Sequence, residues 1–313
     1  MIGIEDIGVY IPKNRRKNIG RSYGGEAVDP EFLQNKVGFL SVSRKEEGEN
    51  TADMCQKAFQ DLVERRGTLP PEEVECICVC TQNGEYEMPH TSAILQDRLG
   101  IPGTCAAFDL SLACSGYVYG LNLMEGFMER NGYATGLFFT CDPYSKAMDP
   151  EDKGTDLLFG DAATVTLLTN KGRLRLGQSA FSTKGKSYDV AIRREGEYMS
   201  VDSRGIFNFV LREGMDAVKR CMERNGLKDE DVDIYLLHQA TKYVLEQLGR
   251  RLHIDGKKIP FRAGTYGNTV SSSLPILLQE ELAKENHRTF LLCGFGAGLS
   301  ASAAVLKRVE DEA

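Results

Sequence analysis

The stretch Ala-Ala-Phe-Asp-Leu-Ser-Leu-Ala-Cys-Ser-Gly-Tyr-Val-Tyr-Gly-Leu, residues 106–121, joins a strand to a helix through a cysteine. Its first part reads as a buried strand that ends in a turn. After Cys114, the apolar residues Val118, Leu121, Met124 and Met128 recur at helical spacing. A cysteine at such a junction has helix amides directed at its sulfur, and they favour thiolate over thiol. Thiolate is the reactive form, so Cys114 is the candidate nucleophile.

Working outward, the chain repeats itself. Residues 58–67, Ala-Phe-Gln-Asp-Leu-Val-Glu-Arg-Arg-Gly, resemble residues 217–226, Ala-Val-Lys-Arg-Cys-Met-Glu-Arg-Asn-Gly. Each reads as an amphipathic helix stopped by a glycine. Each is followed by an acidic turn and a short apolar strand, at 74–80 and 232–237. A second helix comes next, ending near 96–101 in one half and 249–254 in the other. Residues 137–141 then match 290–294, and the first strand, 2–10, pairs in role with 174–181. Two alternating strand–helix halves predict an α/β protein of two βα layers packed side by side. The expected units are 1–170, carrying Cys114, and 171–313. In this register Cys114 and Asn268 hold equivalent places, as do Thr81 and His238. A pseudo-twofold would bring both strand ends into one pocket.

The chain has 313 residues, 42% hydrophobic and 27% charged, ordinary for a soluble globular protein. A formal net charge of -7 argues against non-specific nucleic-acid binding. The opening Met-Ile-Gly-Ile-Glu-Asp has neither a basic start nor an apolar run, so a secretory leader is not expected. The least polar stretch, near 291–306, is broken by Gly294, Gly296 and Gly298 and is too short to span a bilayer. The nine cysteines are odd in number and scattered through apolar segments. Reduced thiols in a cytoplasmic protein are expected. Cys76, Cys78 and Cys80 alternate along one strand face. They read as small apolar fillers, because structural zinc sites favour cysteines in turns.

His238 lies where the apolar run Ile-Tyr-Leu-Leu stops, and Asn268 lies in a glycine-rich turn before a helix. A histidine at a strand end is more often a structural hydrogen-bonder than a catalyst, and an asparagine after glycine is usually a turn residue. On the residues alone both readings stay open.

Together these segments resemble the β-ketoacyl-acyl carrier protein synthase III family, condensing enzymes of the thiolase-like fold. The resemblance rests on Ala113-Cys114-Ser115-Gly116, Leu158-Phe159-Gly160-Asp161, His238-Gln239-Ala240 and Gly267-Asn268-Thr269. A weaker match is Gly294-Phe295-Gly296-Ala297-Gly298. It implies two duplicated βα halves in a five-layered αβαβα arrangement. It further implies a Cys114–His238–Asn268 triad that forms an acyl-Cys114 thioester and condenses it with a malonyl-type thioester by decarboxylation. The 3-oxoacyl product would belong to fatty-acid-like or specialised, polyketide-type biosynthesis. The amide of Cys114 and one from the loop of Gly296, Ala297 and Gly298 would bind the oxyanion. Phe159 would line or gate the pocket, and Asp161 would serve as a turn acceptor. No metal or redox cofactor is implied.

The chain departs from the family at the coenzyme A adenine site. Phe32 stands where the resemblance implies a tryptophan, and Lys153 where it implies an arginine. Phenylalanine stacks less area, and lysine lacks a planar guanidinium. A carrier-protein thioester therefore joins acyl-coenzyme A as an expected donor. Arg250 and Arg251, with Lys257, Lys258 and Arg262, form a basic stretch for an acidic carrier or, read plainly, a solvated helix end, and Lys242 is a further carrier or coenzyme A contact. The resemblance also implies a homodimer, with the loop at 85–90 near the partner's pocket. Glu85 or Glu87 would there be a base or a solvated carboxylate. Two alternatives accompany the condensing reading. One is an acyltransferase moving the acyl group to an oxygen or nitrogen acceptor without decarboxylation. The other is a non-catalytic subunit of a condensing heterodimer.

Overall fold

The computed structural model describes residues 1–309. The strands of the main sheet are β1 (Gly3–Tyr10), β2 (Cys76–Cys80), β3 (Ala106–Leu110), β4 (Thr135–Cys141) and β5 (Ala163–Thr169). They continue as β6 (Leu174–Leu176), β7 (Ala180–Thr183), β8 (Ile234–Leu237), β9 (Thr289–Gly296) and β10 (Ser300–Arg308). The principal helices are α1 (Thr51–Arg66), α2 (Thr91–Arg98), α3 (Gly116–Asn131), α4 (Ser203–Phe209), α5 (Met215–Arg224), α6 (Lys242–Leu252) and α7 (Ser273–Leu282).

The strand order is β8-β9-β10-β6-β1-β5-β4-β2-β3, with β7 also on β10. The two halves follow the same pairing rule. β2 runs parallel to β4, which is antiparallel to β5, which is antiparallel to β1. β8 runs parallel to β9, which is antiparallel to β10, which is antiparallel to β6 and β7. The segments matched by eye in the sequence are therefore topological counterparts. The halves also touch edge to edge, through Ile4 opposite Leu174, so one hydrogen-bonded ladder crosses from half to half.

Layering follows from which face each strand residue buries. On β2, Cys76, Cys78 and Cys80 point into the central core with Tyr117, Leu121 and Met124 of α3 and Leu274 and Leu277 of α7. The alternate residues Ile77 and Val79 point outward, against Ala58 and Leu62 of α1. In the second half Ile234 and Leu236 face the same central core, while Tyr235 and Leu237 face α5 and α6. The period of two along each strand thus yields α1 and α2, a sheet, α3 and α7, a sheet, then α5 and α6. This is the thiolase-like five-layered architecture.

α3 is the helix anticipated after Cys114. Its buried stripe contains Val118, Leu121, Met124 and Met128, the helical repeat of the sequence, and Tyr117 joins them. Burying each of these large side chains stabilises the fold by roughly 1.5–3 kcal/mol. A left-handed Gly132 (φ 71) stops the helix. Gly120 lets α3 lie directly on β4: a Cβ there would sit 1.9 Å from the Phe138 ring. A Gly120→Ala change would force those two elements apart. α1 starts on a capping box between Asn50 and Asp53.

Candidate functional site

β3 delivers the chain to Cys114, which with Ser115 forms the turn into α3. The second half clamps that turn. Ser302 Oγ donates to the Ser115 carbonyl at 3.0 Å, and the Ser115 and Ser300 hydroxyls are hydrogen-bonded. Gly296, at the end of β9, lies against the nucleophile candidate. A Cβ on Gly296 would be 3.0 Å from Cys114 Sγ, so only glycine lets the loop come so close.

His238 follows β8, and its N–H donates to the Cys293 carbonyl at 2.9 Å. The next residue holds this turn rigid. Gln239 is fully buried, donates to the Leu237 and Pro260 carbonyls, and accepts from the Arg262 N–H at 2.9 Å. The His238 ring meets Phe295 edge to face, with centroids 5.5 Å apart. Its Nδ1 is buried and has no hydrogen-bond partner among the described residues. Asn268 is held by backbone bonds to both sides of Phe159, from Asn268 N–H to Leu158 O and from Gly160 N–H to Asn268 O, each 2.8 Å. Asn268 Oδ1 accepts the Val270 N–H at 2.9 Å. That bond orients the carboxamide and leaves its N–H₂ as a donor. Val270 sits in the left-handed region (φ 53), costly for a β-branched residue, so this turn stores strain beside the site.

Cys114, His238 and Asn268 line one cavity of about 670 Å³, together with Phe159, Phe295 and Ala297. All three are buried, yet the cavity reaches solvent past Phe32, Lys36, Lys153 and Arg204. At this mouth Lys153 Nζ stands 5.5 Å from the Phe32 ring, and Lys36 Nζ stands 4.0 Å from the Tyr243 ring.

Electrostatics correct one expectation. Burial pushes the Cys114 thiol well above its ordinary value, and the nearby Asp142 pushes the same way; only the residue's own backbone amide opposes them. Desolvation outweighs the helix end, and the resting group is a thiol rather than a thiolate. Burial lowers His238 to about 3, so its imidazole is neutral at working pH. Burial also raises Asp142 to about 6, against hydrogen bonds from Ser271, the Gln82 amide and Asn83.

Other expectations also change. Gly298 does not line the cavity, although Gly296 and Ala297 do. Lys242 and Arg250 lie along a separate groove on α6, and Arg251 borders another depression, so the basic residues expected to face a carrier lie on the outer surface and not in the tunnel. Glu85 is not a free base: it accepts the Ala52 N–H at the start of α1 and the Thr91 hydroxyl at 3.1 Å. Glu87 is exposed beside a second cavity. Asp161 is the turn acceptor anticipated, taking N–H groups from Lys45 at 2.9 Å and Ser145 at 3.1 Å. Sequence reasoning missed Asp142, Phe295, Lys36 and Arg204. Asp142 and Phe295 directly follow the matched strand segments 137–141 and 290–294, so the repeat itself held the signal.

The fold and the cavity define a thiolase-like protein with a cysteine, a histidine and an asparagine facing one tunnel. Residues 108–185 match the family described as 3-Oxoacyl-[acyl-carrier-protein (ACP)] synthase III, and residues 222–308 match its C-terminal counterpart. The chain is 30% identical to the beta-ketoacyl-[acyl-carrier-protein] synthase III of Streptococcus agalactiae, over 97% of this chain and 98% of that protein. A solved 3-oxoacyl-(acyl-carrier-protein) synthase III superposes with a TM-score of 0.90 at 29% identity, covering 98% and 99% of the two chains. The synthase III from Aquifex aeolicus superposes with a TM-score of 0.89 at 26% identity, covering 98% and 100%. The chain belongs to the 3-oxoacyl-[acyl-carrier-protein] synthase III family.

Proposed function

We propose that this protein is a decarboxylating condensing enzyme whose nucleophile is Cys114, with His238 and Asn268 as its partners. The observation that carries the reading is that these three side chains, from both halves of the chain, line one solvent-connected cavity. Burial keeps the His238 imidazole neutral, so a ring nitrogen has a free lone pair for the thiol proton. In the first half-reaction Cys114 Sγ adds to the donor thioester carbonyl and its proton passes to His238. The amides of Cys114 and the Gly296–Ala297 loop receive the oxyanion. The carrier thiol leaves with that proton, and acyl-Cys114 remains.

In the second half-reaction the malonyl-type thioester carbonyl accepts hydrogen bonds from the imidazole N–H and the Asn268 N–H₂. Carbon dioxide departs, and its bonding electrons form an enolate held by those two donors. The enolate carbon attacks acyl-Cys114, the C–S bond breaks, and a 3-oxoacyl thioester leaves. The departing Cys114 thiolate takes up one proton from water, and the free thiol is regenerated. This chemistry calls for no metal or redox cofactor. Family membership favours it over transfer to an oxygen or nitrogen acceptor and over a non-catalytic subunit.

The donor is a coenzyme A or acyl-carrier thioester admitted past Phe32 and Lys153. Lys36 and Arg204 add positive charge at the same mouth for its phosphates, while Lys242, Arg250 and Arg251 offer a surface to an acidic carrier. We place the protein in the cytoplasm as a homodimer, each chain built of two duplicated units, 1–170 and 171–313. The support is its family and its nine free cysteines.

Intact-protein mass spectrometry after incubation with acyl thioesters tests the first step. The expected result is one acyl adduct, absent in Cys114→Ala. Carbon dioxide release on adding malonyl thioester tests the second. An adduct without carbon dioxide release would refute the condensing assignment.

A further inference from the structure

Two separate sets of contacts hold the His238 turn, and each ties it to a different partner. The first set leads to the nucleophile. The His238 N–H donates to the Cys293 carbonyl of β9 at 2.9 Å, its ring meets Phe295 on the same strand, and Gly296 at the end of that strand lies against Cys114. The second set leads to Asn268 and runs through Gln239. The Gln239 N–H donates to Ser273 Oγ at 2.9 Å, its Nε2 donates to the Pro260 carbonyl at 3.2 Å, and its Oε1 accepts the Arg262 N–H at 2.9 Å. Among the described residues no other hydrogen bond joins residues 238–241 to residues 256–275, the segment that carries Asn268.

Gln239 is fully buried, so these bonds form without competition from water, and breaking one leaves a buried group unpaired. The imidazole has no comparable anchor of its own, because its buried Nδ1 lacks a partner among the described residues. Its placement is inherited from the backbone that Gln239 fixes. On the other side, Ser273 opens α7 directly after the turn of Asn268, in which the Val270 N–H orients the carboxamide.

We infer that Gln239 is a positioning residue for decarboxylation: it sets the His238 imidazole against the Asn268 carboxamide so that both donors meet one enolate oxygen. This deepens the condensing reading and rests on it. Decarboxylation needs two donors converging on one atom, and a misplacement of about 1 Å in such a geometry costs on the order of a hundredfold. Acylation needs the imidazole only at the sulfur, and the contacts with β9 keep it there without Gln239. The two half-reactions therefore respond differently to the loss of one side chain.

The test measures both steps in the same protein. Acylation of Cys114 by acetyl-coenzyme A is read by intact mass. Carbon dioxide release from malonyl-coenzyme A is then read on acyl-enzyme loaded to completion. Gln239→Leu is expected to slow release by at least about tenfold and acylation by no more than about threefold. Ser273→Ala removes one link at its far end and is expected to slow release about threefold with acylation unchanged; it serves if the buried Gln239 change unfolds the protein. A merely structural role would instead lower both steps together, in parallel with the melting temperature. Equal losses in the two steps, or undiminished release, beside a wild type that condenses, overturn this inference and leave the condensing reading in place. A wild type that forms the adduct without releasing carbon dioxide overturns both.

Discussion

Two buried groups beside the sulfur titrate in opposite senses, and their balance can be unmasked by mutation. Asp142 rises from an ordinary 3.8 to about 6 in the folded chain. Between those values the folded state holds a proton on Asp142 that the unfolded state has lost, so this group's contribution falls as pH rises through the window. His238 drops from 6.5 to about 3. Between those values the unfolded state holds a proton that the folded state lacks, so stability rises with pH. Across roughly pH 4.5–5.5 one proton sits on each side, and the two slopes cancel. Asp142→Asn removes the falling slope and leaves a gain of about 1.4 kcal/mol per pH unit; His238→Asn leaves a loss of the same size. Every other carboxylate contributes equally to all three proteins, so the differences between them isolate the pair. Urea denaturation at several pH values in this window, at constant ionic strength, reads the effect as diverging midpoints. Three parallel stability curves would refute the reasoning, because both burial-driven shifts would then be absent. Asp142→Asn is also expected to speed Cys114 alkylation, since it removes a negative charge that raises the thiol.

Gly296→Ala places a methyl group 3.0 Å from Cys114 Sγ; it is expected to cost about 1–3 kcal/mol of stability from overpacking and to abolish acyl-adduct formation, read by thermal melts beside intact mass. Asn268→Ala removes an enolate donor and the partner of the Val270 N–H; condensation should fall about 10²–10³-fold while acylation of Cys114 by the donor persists, a split visible in single-turnover assays. Asp156→Asn strips the charge from a carboxylate that is 1% exposed and contacts Arg16, Arg21 and Arg44, with Tyr23 donating to it at 2.7 Å. Leaving those guanidiniums unpaired should cost about 3–5 kcal/mol, seen as a lowered melting temperature; an unchanged melt would show the cluster to be structurally idle.

What the sequence made legible was what local pattern controls. The strand-to-helix turn at Cys114, the stripe from Val118 to Met128, the alternation of Cys76, Cys78 and Cys80 with Ile77 and Val79, and the equivalence of the strands before Thr81 and His238 all rest on spacings of two or three to four residues. Those spacings survive folding unchanged. The state of the thiol was not legible, because its proton affinity depends on burial and on Asp142, a residue 28 positions away in sequence. Helix amides act on the sulfur through neighbours along the chain, whereas desolvation acts through the cavity assembled from both halves. The residues of the tunnel mouth were legible only in part for the same reason. Phe32 and Lys153 stand at it, whereas the basic residues Lys242, Arg250 and Arg251 of α6 face outer grooves. Lys36 and Arg204, isolated in sequence, converge on the opening from opposite halves. Clustering along the chain therefore reports charge on one helix face, and only the packing of the halves decides which charges meet a substrate.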